Sequence, residues 1–233
     1  MINTNRSSGR RSFLKQGLQV GLIAGLGVPA LLAGCSGKGE DKEVSPPEDL
    51  MQEHGLLNRI LLIYDHCHRE IVFGRAPQLP ALNAAAGIIR TFVEDYHEKQ
   101  EEDYLFPRFR KAGQLTDLVD TLLRQHNAGR RLTDELLLMT KGGTLNAGDT
   151  EKLSSLLESF NGMYRPHEAR EDTVLFPAFR KLVSKHEYDS LGEEFENNEH
   201  KHFGQDGFET MVGRVAEIEK QLGIYDLNQF TPL

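Results

Sequence analysis

Apolar residues recur along most of the chain at three- and four-residue steps, the spacing that gathers side chains on one face of an α-helix. Between Pro80 and Leu105 that stripe holds Leu82, Ala85, Ala86, Ile89, Val93 and Tyr96. No stretch follows the two-residue period of a strand. Ser45-Pro46-Pro47-Glu48 has the order of a helix start, with a serine cap, a proline at the first position and an acid at the third. A first helix is therefore predicted from Pro47 to Val72, ended by Gly74 and Pro77. A second spans Pro80 to Leu105, and a third runs from a Thr116 cap to Thr140, before Gly142-Gly143. A fourth starts at Asp149 or Thr150 and reaches Val183, with a kink expected at Pro166. A short helical stretch and a last helix, Phe208 to Leu222, follow Lys185. Four long helices with modest connections predict an all-α fold. Residues 48–185 form an antiparallel four-helix bundle, and residues 186–233 a C-terminal helical extension.

The N-terminus breaks this pattern and reads as targeting information. Arg10-Arg11-Ser12-Phe13-Leu14-Lys15 resembles a twin-arginine export signal, and the apolar run from Leu18 to Leu32 is interrupted by Gly21, Gly25, Gly27 and Pro29. That run is too short and glycine-rich for a stable membrane span. Leu32-Ala33-Gly34-Cys35 then resembles a lipobox, which makes residues 1–34 a signal peptide and Cys35 the acylated first residue of the mature chain. Residues 35–47 read as a flexible tether. The expectation is export by the twin-arginine route and lipid anchoring at a periplasmic membrane face. Ser36 leans toward the outer membrane.

Charge narrows the partners. Residues 1–34 carry four basic residues and no acid, so their removal leaves 23 basic against 35 acidic residues, a net charge of −12. Such a surface disfavours nucleic acid and leaves the lipid as the route to a membrane. With Cys35 acylated, only Cys67 remains, and no intramolecular disulfide can form.

The chemistry lies in an internal repeat. Residues 97–111 read HEKQEEDYLFPRFRK and residues 167–181 read HEAREDTVLFPAFRK, an ungapped offset of 70. Upstream of each copy stands a helical histidine, His54 and His126, at an offset of 72. The chain is thus two helical hairpins, each bringing one His and one His-x-x-x-Glu. Residues four apart share a helix face, so His97 with Glu101, and His167 with Glu171, can both turn into the bundle. Buried carboxylates are costly unless paired or bound to metal. Two cations would compensate them, each taking two imidazoles and one oxygen from each Glu. A bridging oxo or hydroxo group would then leave one position open per ion. Imidazole and carboxylate suit iron and also zinc or manganese.

These residues resemble the histidine–histidine–glutamate signature of the hemerythrin-like family, over residues 48–185. The resemblance implies a four-helix bundle holding two iron ions, oxo- or hydroxo-bridged, on His54, His97, Glu101, His126, His167 and Glu171. The family's oxygen carriers place a further histidine one turn after the third-helix one, where this chain has Arg130. The four-His, two-Glu set is more similar to the symmetrical di-iron proteins of nitric oxide response and iron–sulfur cluster repair. The function implied is an exported non-haem di-iron protein that binds or reduces O2, NO or peroxide, with an electron donor as a further partner. Two alternatives stand beside it: a non-catalytic carrier or sensor of oxygen, NO or iron, and a di-zinc or di-manganese hydrolase-like site.

Arg130, Asn58, Tyr96 and Tyr164 are candidates to touch the ligands from outside. Leu-Phe-Pro in each repeat is expected to kink or end its helix. His66, Cys67 and His68 point in different directions on one helix, which favours a surface or channel-lining role over a shared metal site. Glu199-His200-Lys201-His202 reads as a solvated linker.

Overall fold

The computed structural model describes residues 44–232; Arg10, Arg11, Cys35 and most of the tether lie outside them. Six helical rods make up the described chain. Helix α1 is Pro46–Val72. Helix α2 covers residues 79–112 as one rod in which Leu79–Ile88, Glu98–Gln100 and Phe106–Ala112 are α-helical and Ile89–His97 and Glu101–Leu105 are wider π-turns. Helix α3 is Thr116–Thr140. Helix α4 covers residues 147–182, with a π-turn at Glu171–Leu175 between Ala147–Arg170 and Phe176–Leu182. Helices α5 (Lys185–Phe203) and α6 (Gly207–Leu222) complete the order. There is no strand among the described residues, and no helix there is long and apolar enough to cross a membrane.

Local chemistry sets these boundaries. At the start of α1 the Ser45 amide and hydroxyl both donate to the Glu48 carboxylate, at 3.4 and 3.2 Å. Asn146 caps α4 by accepting from the Asp149 amide at 2.9 Å. Gly113, at φ 64°, closes α2 in the left-handed conformation that glycine adopts without a Cβ penalty.

The predicted end of the second helix at Leu105 is corrected, whereas the fourth helix ends within a residue of the predicted Val183. Helix α2 runs on through Pro107 to Ala112, and α4 through Pro177 to Leu182. In each case the proline sits in the first turn after a π-turn, where an amide has no regular partner to lose. Pro166 lies inside an unbroken α-helical stretch, and the irregularity falls five residues later, at Glu171. The Glu199–His202 stretch is not a linker: it is the end of α5, and Glu199 is buried with its carboxylate accepting from the Phe208 amide at 2.6 Å.

The first four rods form the bundle. Its core comes in two apolar blocks with a polar waist between them. One block gathers Leu57, Ile60, Tyr64, Leu82, Ile89, Phe92, Leu136, Leu157 and Phe160. The other holds Leu50, Leu105, Phe106, Phe109, Val119, Leu122, Leu175, Phe176 and Phe179. Along α1 and α3 the chain passes from the second block to the first; along α2 and α4 it returns. That order is the up-down-up-down topology, and every rod crosses the waist once. Helix α6 packs on α1 and α2: Val215 and Ile218 join the first block, and Glu219 accepts two hydrogen bonds from Arg59, at 3.0 and 2.5 Å.

Candidate metal centre

All six residues of the repeat meet in the waist. His54, His97, His126 and His167 are no more than 4% exposed, and Glu101 and Glu171 are fully buried. The imidazoles form two pairs. His54 and His97 face each other Nε2 to Nε2 at 3.1 Å, and His126 and His167 do so at 3.2 Å. The ring centroids repeat as well, 4.8 Å apart at 54° in one pair and 4.9 Å at 52° in the other. Glu171 spans the two pairs, with Oε2 3.4 Å from His54 Nε2 and Oε1 3.2 Å from His167 Nε2. Glu101 reaches both through Oε2, 3.4 Å from His126 Nε2 and 3.9 Å from His97 Nε2.

Hydrogen bonding alone does not account for this layer. Both carboxylate oxygens of Glu101 and both of Glu171 are buried without a hydrogen-bond partner among the described residues. An unsatisfied buried acceptor costs about 1–3 kcal/mol, more when charged. Donor atoms sitting about 2.1 Å from a shared ion lie roughly 3.0–3.4 Å from one another, which is the separation most of these atoms show. The donors therefore fit a metal pair. Two groups of compatible donors, His54 with His97 and Glu101, and His126 with His167, Glu101 and Glu171, share Glu101 between them.

The outward Nδ1 of every imidazole is also engaged. His97 Nδ1 meets Glu53 at 2.7 Å and His54 Nδ1 meets Asp172 at 2.8 Å. His126 Nδ1 meets Glu102 at 3.1 Å, and His167 Nδ1–H donates to Gln125 Oε1 at 2.9 Å. Such bonds fix the tautomer that leaves Nε2 free for metal. Phe176 stacks on His54 and Phe106 on His126, each at 5.5 Å. Glu53, Glu102, Gln125, Asp172 and the two phenylalanines were missed as site residues by the sequence argument. The signal was there, because each sits at the repeat offset beside or one turn past a ligand.

The four outer candidates divide. Arg130 pairs with Glu98 at 2.7 Å and with Glu102 at 2.8 Å, so it reaches His126 through Glu102. Asn58 donates to Glu168 Oε2 at 2.5 Å and to the His54 carbonyl at 3.0 Å. The Tyr164 hydroxyl donates to Glu98 at 2.8 Å while its ring lies 5.6 Å from that of His167. Tyr96 turns the other way, packing on Phe92 and on Phe203 of α5. Cys67 is buried in the first apolar block, where burial pushes its thiol up to about 12, and His68 Nδ1 meets Ser154.

Burial and neighbouring charge set the protonation of the metal-free waist. Burial, then the Glu171 charge, holds the Glu101 carboxyl well above the ordinary 4.5. Burial would raise Glu171 too, but His167 and His54 outweigh it and hold that carboxylate low. Burial would lower His54, yet its hydrogen bond to Asp172 and the neighbouring Glu171 charge keep it well above 6.5. His126 is pushed by burial down to about 4.

Gly129 makes room for Tyr164. A Cβ there would stand 2.0 Å from the Tyr164 hydroxyl and 2.8 Å from Cζ. Gly→Ala inside a helix ordinarily stabilises by about 1 kcal/mol. Here the sign reverses: Gly129→Ala is expected to destabilise the fold by about 1–3 kcal/mol through overpacking, read by urea denaturation.

Comparison with known proteins agrees with the geometry. Residues 45–179 match the Hemerythrin HHE cation binding domain, and the chain belongs to that family. It is similar, at 47% identity over 83% of its length and 76% of theirs, to proteins named only as uncharacterized from Mycobacterium bovis and from two strains of Mycobacterium tuberculosis. No solved structure matches the chain. The class defined by fold and site together is a helical-bundle metal-binding protein.

Proposed function

We propose that this chain is an exported, lipid-anchored non-haem di-iron protein that binds or reduces a small ligand such as O2, NO or peroxide. The observation that carries the two-ion reading is the pair of facing imidazole couples spanned by two carboxylates with no hydrogen-bond partner among the described residues. His54 and His97 would hold one ion, His126 and His167 the other, and Glu101 and Glu171 would reach both. When bound, an iron pair supplies electron transfer to the small ligand. The protein excludes bulk water with the two apolar blocks, fixes each ring through its Nδ1 partner and keeps four acceptor oxygens ready for cations. Export rests on the Arg10-Arg11 motif and anchoring on Cys35.

The experiment is absorption spectroscopy of the protein as purified. A ferric pair gives charge-transfer bands in the near ultraviolet and visible. A colourless protein holding zinc would overturn iron as the native metal.

Uptake should release protons. His54 and Glu101 hold protons above their ordinary values in the metal-free waist, and both must lose them to bind a cation. Raised pKa values mean that protons compete below them and stop competing above. Metal affinity is therefore expected to rise with pH through neutrality, then level off. Calorimetric titration in two buffers of different ionisation enthalpy measures the released protons; affinity that falls as pH rises from 6 to 7.5 (about the neutral window) would contradict the assignment.

A further inference from the structure

The two halves of the waist are built alike but not charged alike. At the offset of 72, Glu53 corresponds to Gln125, His54 to His126 and Asn58 to Arg130. At the offset of 70, His97 corresponds to His167, Glu98 to Glu168, Glu101 to Glu171, Glu102 to Asp172 and Phe106 to Phe176. The contacts obey the same correspondence: residue 53 or 125 meets Nδ1 of His97 or His167, and residue 172 or 102 meets Nδ1 of His54 or His126. Only two of these eight pairs differ in formal charge, and both differences act in one direction.

The first concerns the ring partner. His97 rests on a carboxylate, Glu53, which is buried; His167 rests on an uncharged amide, Gln125. Either acceptor fixes the ring. Only the carboxylate also pushes negative charge onto the imidazole and makes its Nε2 a stronger donor. The second concerns the residue one turn beyond the first histidine of each pair. After His54 this is the neutral Asn58, and after His126 it is the Arg130 guanidinium, held against Glu98 and Glu102. Lys99 also pairs with Glu102, so the carboxylate at the outward Nδ1 of His126 shares its charge with two cations. Glu98 and Glu168 match and do not offset the difference.

We infer that the two cation positions are unequal, and that the ion between His54 and His97 enters first and is held more tightly. The inference rests on the two-cation reading above and adds to it an order of filling set by Glu53, Gln125 and Arg130. Outer partners of metal-bound histidine are typically worth 10–100-fold in affinity, so a preference of at least about tenfold is expected. Repulsion between two close cations separates successive affinities even at equal positions. The decisive readout is therefore which position the first ion takes.

The test uses the full folded chain, stripped by chelation and given one equivalent of Co2+. Anomalous diffraction at the cobalt edge then reports occupancy at each position. Cobalt concentrated between His54 and His97 is the expected result. Gln125→Glu is expected to bring the two occupancies closer by strengthening the second position, and Glu53→Gln by weakening the first; Gln125→Glu answers the question should Glu53→Gln fail to fold. Equal occupancy in the unaltered protein, or first entry between His126 and His167, would overturn the inequality while two ions at saturation leave the two-cation reading intact. Fewer than two Co2+ per chain at saturation would overturn both.

Discussion

Stripping the ions from the folded protein is expected to lower its melting temperature by roughly 8–16 °C for each site that had been occupied at a thousandfold over its Kd. A ligand bound only by the native state contributes about 4 kcal/mol under that condition, and a chain of this size shifts by about 2–4 °C per kcal/mol. The reason is local. All four rods cross the waist, and all of them bring buried polar groups there: His54 from α1, His97 and Glu101 from α2, His126 from α3, His167 and Glu171 from α4. Without cations, four carboxylate oxygens remain buried with no hydrogen-bond partner among the described residues, and His54 is left to balance Glu171 across the gap. With cations, the same groups tie the rods together. Calorimetric melts with and without chelator make the comparison, and identical melts would mean that the waist is satisfied without metal.

The second large effect separates the bridging acids from the single-site histidines. Glu101→Gln is expected to empty both positions, because the one oxygen faces His97 and His126 alike. His97→Ala is expected to empty chiefly its own position and to leave about one ion per chain. Loss of a direct ligand should exceed the 10–100-fold that an outer partner costs. Stability sets the two states of the acid variant apart. In the metal-free protein burial and the Glu171 charge shift Glu101 toward its protonated, neutral form, so the amide replaces a group close to it in shape and charge. Chelated Glu101→Gln should melt within a few degrees of the chelated parent, while the metal-loaded parent melts far above both. Equal destabilisation with and without metal would instead mark Glu101 as a packing residue.

How much of this the sequence disclosed follows from which distances are local. His97 with Glu101, and His167 with Glu171, are fixed by a single helical turn, so their shared face is legible from spacing. The offsets of 70 and 72 carry the hairpin symmetry, and apolar periodicity carries the four rods and their antiparallel order. What the chain hides is set across helices. Asp172 serves His54 from α4, and Glu102 serves His126 from α2, contacts that depend on how the hairpins nest. Tyr96 and Tyr164 look equivalent beside their repeats, yet Tyr164 meets Glu98 and Tyr96 meets Phe203, because α5 and α6 cover only one side of the bundle. The prolines misled for a backbone reason. A proline inside an α-helix breaks the hydrogen-bond ladder, but Pro107 and Pro177 follow π-turns that have already displaced it. Glycine in a helix is likewise read as weakness; at Gly129 it is clearance for a buried phenol.

Elemental analysis of the folded chain, purified without added metal, tests the central claim most directly. Two iron ions per chain in the parent, and close to none when Glu101 and Glu171 are both replaced by alanine, are the predicted values. A metal-free parent that stays folded, or a double variant that keeps its full complement, would contradict the account.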